Sequence, residues 1–185
     1  MSRIKPLSPP YENAVRADFE RVMPPGAPPL VLFRTVAVSK RAWEKFKGGS
    51  LLDRGPLSLH AREIIIDRTC ARANCEYEWG VHAVAFAEAA KLTPEQIAAT
   101  VHEDANAVCW SPEEKALIRC ADALHDRATL SDEEFSALAE YYDAEQILEI
   151  IMLAGFYRTV AYLANGLKLP LERNAAMFPA KQEKA

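Results

Sequence analysis

Apolar residues recur every three or four positions along almost the whole chain, and capping residues, proline and glycine punctuate the runs. Ala14, Val15, Phe19 and Val22 mark one face of a helix over 12–23, which Pro24-Pro25-Gly26 ends. Leu32, Phe33, Val36, Trp43 and Phe46 mark a second over 30–46, broken by Gly48-Gly49-Ser50. Ser58 caps a third helix that runs to about Ala73. Asn74 reads as the start of a fourth, to about Ala90. Thr93 and Pro94 open a short fifth, ending near His102. Ser111-Pro112-Glu113-Glu114 opens a sixth, to about Arg127, and Ser131-Asp132-Glu133-Glu134 a seventh. In both, a side chain at the cap can accept from the third helical amide while a glutamate there reaches back. Asp143 caps the last and longest helix, to about Asn165, with Gly166 and Pro170 as its stop. The start signals recur at unequal intervals, so there is no internal repeat.

No stretch alternates as a strand would. The pattern predicts an all-α fold, a single-domain helical bundle of roughly seven or eight helices over 12–172. Residues 1–11, with Pro6, Pro9 and Pro10, form an irregular arm. Residues 173–185 form a C-terminal tail whose end, Lys181 to Ala185, reads as disordered.

Composition narrows the function. The chain has 185 residues, enough for one sizeable core. A net charge of −4 and a pI near 5.6 argue against nucleic acid or an anionic membrane as partner. Cysteines at 70, 75, 109 and 120 contain no Cys-x-x-Cys pair, so no zinc module is expected. The N-terminus lacks the apolar core of a signal peptide, which points to a cytoplasmic protein with reduced thiols. The most apolar run, 147–167, is interrupted by Glu149, Arg158 and Asn165. It reads as a buried helix or an oligomer interface rather than a membrane span. Arg158 there calls for a buried partner, such as Glu149 or Asp143 of another subunit.

Candidate chemistry concentrates in residues 62–82. If Asn74 caps a helix, Cys75, Glu78 and His82 follow at spacings of three and four and share one stripe. Ala85, Phe86 and Ala89 continue that stripe, so the polar group should point inward and need partners. Glu63 lies on the preceding helix, followed by Ile64, Ile65 and Ile66. Glu63, Cys75, Glu78 and His82 are therefore the candidate catalytic residues. Each also has a plain reading. Cys75 is a small buried hydrophobe, His82 a satisfied core histidine, and Glu63 a partner of Arg62 or Arg68. Tyr77 and Trp79 read first as packing and second as substrate-pocket walls. His125 suits the negative end of its helix dipole. Glu63, Cys75, Glu78 and His82 could also ligate a metal, but no standard spacing supports one, and no cofactor is expected.

The pattern Glu63-x11-Cys75-x2-Glu78-x3-His82 resembles the carboxymuconolactone decarboxylase and alkylhydroperoxidase D superfamily. Leu32-Phe33-Arg34-Thr35, Cys75-Glu76-Tyr77-Glu78-Trp79, Trp110-Ser111-Pro112-Glu113-Glu114, Ala123-Leu124-His125 and Leu169-Pro170-Leu171-Glu172 carry the resemblance across most of 12–172. It implies an all-α homo-oligomer whose site lies where helices meet near a subunit interface. The peroxidase branch carries Glu, Cys-x-x-Cys and His; this chain has Glu78 in place of the second cysteine. A dithiol cycle needs a second sulfur within bonding reach. Cys70, five residues back and on the preceding helix, is not expected to supply it. The one-cysteine alternative has His82 or the helix N-terminus lower the pKa of Cys75, which peroxide oxidises to a sulfenic acid and an external thiol resolves. The decarboxylase branch resembles the chain at Glu78-x3-His82. It implies acid–base work on a small enolisable acid or lactone, with repulsion between Glu63 and Glu78 separating acid from base. Arg68, Arg72 and Arg158 are candidates for a substrate carboxylate. The non-enzymatic rival is a helical oligomer that binds a small ligand in the same pocket.

Overall fold

The computed structural model describes residues 2–181. Of the tail end read as disordered, 182–185 lie outside the described residues. The chain is all-α, with ten helices and no strand among the described residues: α1 (Asn13–Val22), α2 (Val31–Val36), α3 (Lys40–Phe46), α4 (Leu59–Arg72), α5 (Glu76–Ala85), α6 (Ala87–Ala90), α7 (Pro94–His102), α8 (Pro112–Arg127), α9 (Asp132–Ala139) and α10 (Ala144–Gly166). The count exceeds eight because two expected helices are each cut in two. Ser39 interrupts 30–46 by capping α3, its hydroxyl accepting from the Ala42 amide. Phe86 leaves helical geometry, with φ −126° and ψ −20°, and separates α5 from α6.

Start signals are met residue by residue. Thr93, Ser111, Ser131 and Asp143 all accept from the third helical amide, and the side chains of Gln96, Glu114, Glu134 and Gln146 all return to the cap amide. Stop signals behave differently. Gly166 stays helical, and Lys168, with φ 52°, makes the left-handed turn that ends α10. Lys91 (φ 59°) and Ala128 (φ 56°) do the same after α6 and α8.

The middle of α4 is the most buried stretch. Ile64, Ile65 and Ile66 are wholly enclosed, with α8, α10, α5 and α7 packed around them. One side of α10 (Ile150, Leu153, Tyr157, Val160 and Ala164) completes that core. By length and composition α10 could cross a membrane, but that inner side is packed against α4, α5, α8 and α9. Its outer side leaves Leu148, Met152 and Tyr162 exposed. Within the chain Arg158 lies against His125 and donates to the Tyr162 hydroxyl at 3.0 Å. Burial and the charges of Arg158 and Arg72 hold His125 below its ordinary pKa, so it is not the dipole-stabilised cation expected.

Both ends of the described chain are tied down. The Arg3 amide donates to Leu167 O at 2.8 Å, and its guanidinium to Gly166 O at 2.9 Å, which satisfies carbonyls at the end of α10. At the other end a strap over 172–179 crosses α5. Glu172 accepts from the Tyr77 hydroxyl and the Val31 amide. Ala176 N donates to Gly80 O at 3.1 Å, and Phe178 N donates to Glu76 Oε1 at 2.8 Å. The Phe178 ring meets Trp79 edge-on. Only glycine fits at position 80, because a Cβ there would lie 2.0 Å from Ala176 O.

Candidate functional site

The site is built by the corner between α4 and α5. Asn74, with φ 51°, is left-handed and ends α4 instead of starting the next helix. Its amide donates to Ala71 O at 2.9 Å, and the Cys75 amide donates to Cys70 O at 2.9 Å. This pair of bonds is the Schellman stop. Asn165 of α10 satisfies two more carbonyls at the corner, donating to Ala73 O at 3.1 Å and Asn74 O at 3.2 Å. Cys75 is therefore the N-cap of α5.

The corner also explains where Glu78 points. Cys75-x-x-Glu78 has the layout of the four capping boxes, yet α5 has no side-chain cap bond. The Cys75 amide is already taken by Cys70 O, so Glu78 is free to turn toward the core. There His82 sits between two carboxylates. Its Nδ1 lies 2.7 Å from Glu63 Oε2, and its Nε2 lies 3.5 Å from Glu78 Oε1. The second oxygen of Glu63 accepts from Arg62 Nε at 2.8 Å. The second oxygen of Glu78, Oε2, is buried without a hydrogen-bond partner. Glu63, Cys75, His82 and Glu78 are 0, 0, 2 and 6 % exposed, so the group is shielded from water. The structure thus brings all four candidate residues into the buried α4–α5 corner.

Charge within this pocket follows from burial and neighbours. Burial pushes the His82 pKa down, but its hydrogen bonds to Glu63 and Glu78, and their charges, push it up to about 10. His82 is an imidazolium at neutral pH, and both ring nitrogens donate. Burial pushes the Cys75 thiol up to about 11, although the Glu78 and Tyr77 amides favour its thiolate. The expectation that the helix N-terminus or His82 would depress it is overturned: desolvation outweighs the dipole. The expected stripe is also corrected. Ala85 and Ala89 are exposed, and burial comes from α4 and α10 instead.

Other expectations shift as well. Arg68 is committed to Asp122, at 2.7 and 2.8 Å, and to the Thr100 and Glu103 carbonyls. Arg72 pairs with Asp122 and Asp126. Neither is spare for a substrate carboxylate; Arg62 is the cation beside the group, its guanidinium 5.3 Å from the Phe86 ring centre. Tyr77 accepts from the Leu32 amide at 2.9 Å and donates to Glu172, and Trp79 donates to Thr100 Oγ1 at 2.9 Å. Both serve packing rather than a pocket wall. Among the described residues no group of three or more His, Cys, Asp or Glu side chains is arranged to hold a metal ion.

Three residues beyond the four candidates lie close to them. Tyr157 of α10 meets His82 edge-on, with ring centres 5.0 Å apart. Asp67, one turn beyond Glu63, is 1 % exposed, and its Oδ1 has no partner. Burial raises its pKa well above the carboxylate range, with Glu63 and Glu78 adding to the effect against His82. Cys70 is wholly buried, and burial, then the Cys75 sulfur, then Glu78 raise its thiol pKa. The i, i+4 spacing of Glu63 and Asp67 was a usable signal; Tyr157 had none.

Residues 38–123 match the model of the Carboxymuconolactone decarboxylase family, a span that contains α4 and α5. No protein of curated function shows significant similarity to the chain. Among solved structures, an uncharacterized peroxidase-related protein from Silicibacter sp. TM1040 aligns over 96 % of both chains at 14 % identity, with a TM-score of 0.81. An alkylhydroperoxidase AhpD core protein from Ralstonia eutropha JMP134, also described as peroxidase-related, aligns over 93 % of both at 19 % identity, with a TM-score of 0.81. The debrominase Bmp8, as a cysteine-to-alanine variant in complex with 2,3,4-tribromopyrrole, aligns over 94 % of both at 18 % identity, with a TM-score of 0.71. At these identities the likeness is one of fold. The family match lies over the corner that holds Glu63, Cys75, Glu78 and His82, and the fold is similar to that of the alkylhydroperoxidase D-like structures.

Proposed function

We propose that the chain is a small-molecule enzyme of peroxidase type, in which Cys75 is the nucleophile and Glu78, His82 and Glu63 manage its proton. One observation carries this reading: a shielded thiol shares the corner with a carboxylate–imidazole–carboxylate relay whose outer oxygen, Glu78 Oε2, has no partner. A thiol held near pKa 11 needs a base at the moment of attack, and Glu78 is the free carboxylate on its own helix. His82 and Glu63 then stabilise the charge that moves. The thiolate attacks a hydroperoxide oxygen and becomes a sulfenic acid, while the departing alkoxide takes the proton. A small external thiol is the reductant, and the enzyme works as a cytoplasmic homo-oligomer, a role consistent with the exposed apolar side of α10.

A second reading is supported by the same relay without the sulfur. Glu78 Oε2 could remove a proton from a small enolisable acid or lactone, with imidazolium His82 beside it. Hydroperoxide consumption under excess dithiothreitol separates the two. Cys75→Ser should abolish it, and Glu78→Gln should lower it about 100-fold or more. If Cys75→Ser retains turnover of an enolisable acid that Glu78→Gln loses, the acid–base reading stands instead. If parent and both variants behave alike with every substrate offered, the site binds a ligand without chemistry.

A further inference from the structure

The corner also brings a second cysteine, Cys70, up to Cys75. In a Schellman stop the residue two beyond the C-cap bonds back to the third residue from the helix end, and those two side chains meet over the turn. Here these two residues are Cys75 and Cys70, joined by the Cys75 N–H to Cys70 O bond at 2.9 Å. Left-handed Asn74 folds the backbone so that five residues of sequence become a close approach in space. Both cysteines are 0 % exposed and unpaired. After burial, Cys75 is the neighbour that raises the Cys70 thiol pKa most. Cys120 lies on α8 and Cys109 before it.

We propose that Cys70 is the resolving thiol of the site, and that Cys70 and Cys75 form a reversible disulfide across the α4–α5 corner. The proposal rests on the thiol reading above and replaces its external resolving step. The Cys75 thiolate attacks the terminal oxygen of a hydroperoxide; an S–O bond forms, the O–O bond breaks, and the alkoxide leaves as an alcohol with the thiol's proton. The Cys70 sulfur then attacks the Cys75 sulfenic acid; an S–S bond forms, the S–O bond breaks, and water leaves with the second thiol's proton. The hydroperoxide is reduced by two electrons, and the two cysteines are oxidised by two. Two equivalents of a low-molecular-weight thiol reset the pair. The backbone bond holds the two residues adjacent, the first condition for a disulfide between them.

The test uses the full chain, reduced, freed of reductant, treated with one equivalent of hydrogen peroxide and blocked with N-ethylmaleimide. Trypsin cuts between the two cysteines at Arg72, so a disulfide joins peptide 69–72 to peptide 73–91. The expected result is that linked pair, lost on adding dithiothreitol and unchanged in Cys120→Ala. In Cys70→Ala, Cys75 should instead be trapped as a dimedone adduct or over-oxidised to sulfinic acid. If Cys75 is oxidised in the parent while Cys70 stays open to N-ethylmaleimide, or Cys75 pairs with another cysteine, the resolving role falls and the one-cysteine reading survives. If Cys75 is oxidised in neither protein, both fall together.

Discussion

Burial alone would strip the proton from His82, yet Glu63 and Glu78 reverse that and carry its pKa to about 10. A histidine whose folded pKa exceeds its unfolded value of about 6.5 stabilises the fold fully below that value. Its contribution is lost as pH rises through about 10. The melting temperature should therefore fall between pH 6.5 and 10, and Glu63→Gln should flatten the fall. In that variant the His82 titration, followed by NMR of the ring, should drop from about 10 toward or below 6.5; an unmoved midpoint would show that Glu63 does not hold the proton. At this scale the sequence was informative about which residues gather at the corner and silent about their partners. Cys75, Glu78 and His82 share a helix, so spacing alone puts them together. Glu63 reaches His82 only because α4 packs on α5, which no local pattern encodes, and only the family resemblance pointed to it. The thiol was misjudged because a helix N-terminus is legible in sequence and desolvation is not.

Helix ends were legible to within a residue or two, but the residue that makes each left-handed stop was not, for a physical reason. An N-cap is a side-chain bond, written in residue type; a left-handed stop is a backbone state that Asn74, Lys91, Ala128 and Lys168 all adopt without glycine. Hence Asn74 was taken for a start, and the nearness of Cys70 to Cys75 was missed. Ala128 has no side-chain reason to be left-handed, so Ala128→Gly should stabilise the protein by up to about 1 kcal/mol, seen as a raised urea midpoint. The strap makes the opposite case. Gly80→Ala must displace Ala176 O, so the variant should lose protection of 173–181 against limited proteolysis. With α5 less firmly braced, N-ethylmaleimide should label Cys75 faster than in the parent. Labelling at the parental rate would mean that the strap does not control access.

For the whole molecule, the exposed side of α10 is where the proposed self-association can be tested. Leu148, Met152 and Tyr162 follow one another at helical intervals along a helix whose other side is core. A second copy is the occupant expected in solution, and Met152→Glu should shift the sedimentation profile toward monomer with the circular dichroism unchanged. A parent that already sediments as a monomer would remove this assembly from the proposed function. The fold class was legible throughout, because helical periodicity and caps are properties of the chain itself. The outer side of α10 was legible only as an ambiguity, since a run that is apolar all round serves a core and an interface equally well.

The two anchored ends carry a practical consequence. Arg3 sits on the last carbonyls of α10, while Ala176 and Phe178 are clasped to the helix that bears the thiol. A purification handle fused at the carboxyl end would tug on the clasp and loosen α5. One fused at the amino end would pull on the finish of α10, where Asn165 holds the carbonyls of the same corner. Either handle should therefore change how quickly Cys75 reacts, and a preparation freed of its handle should report the native rate.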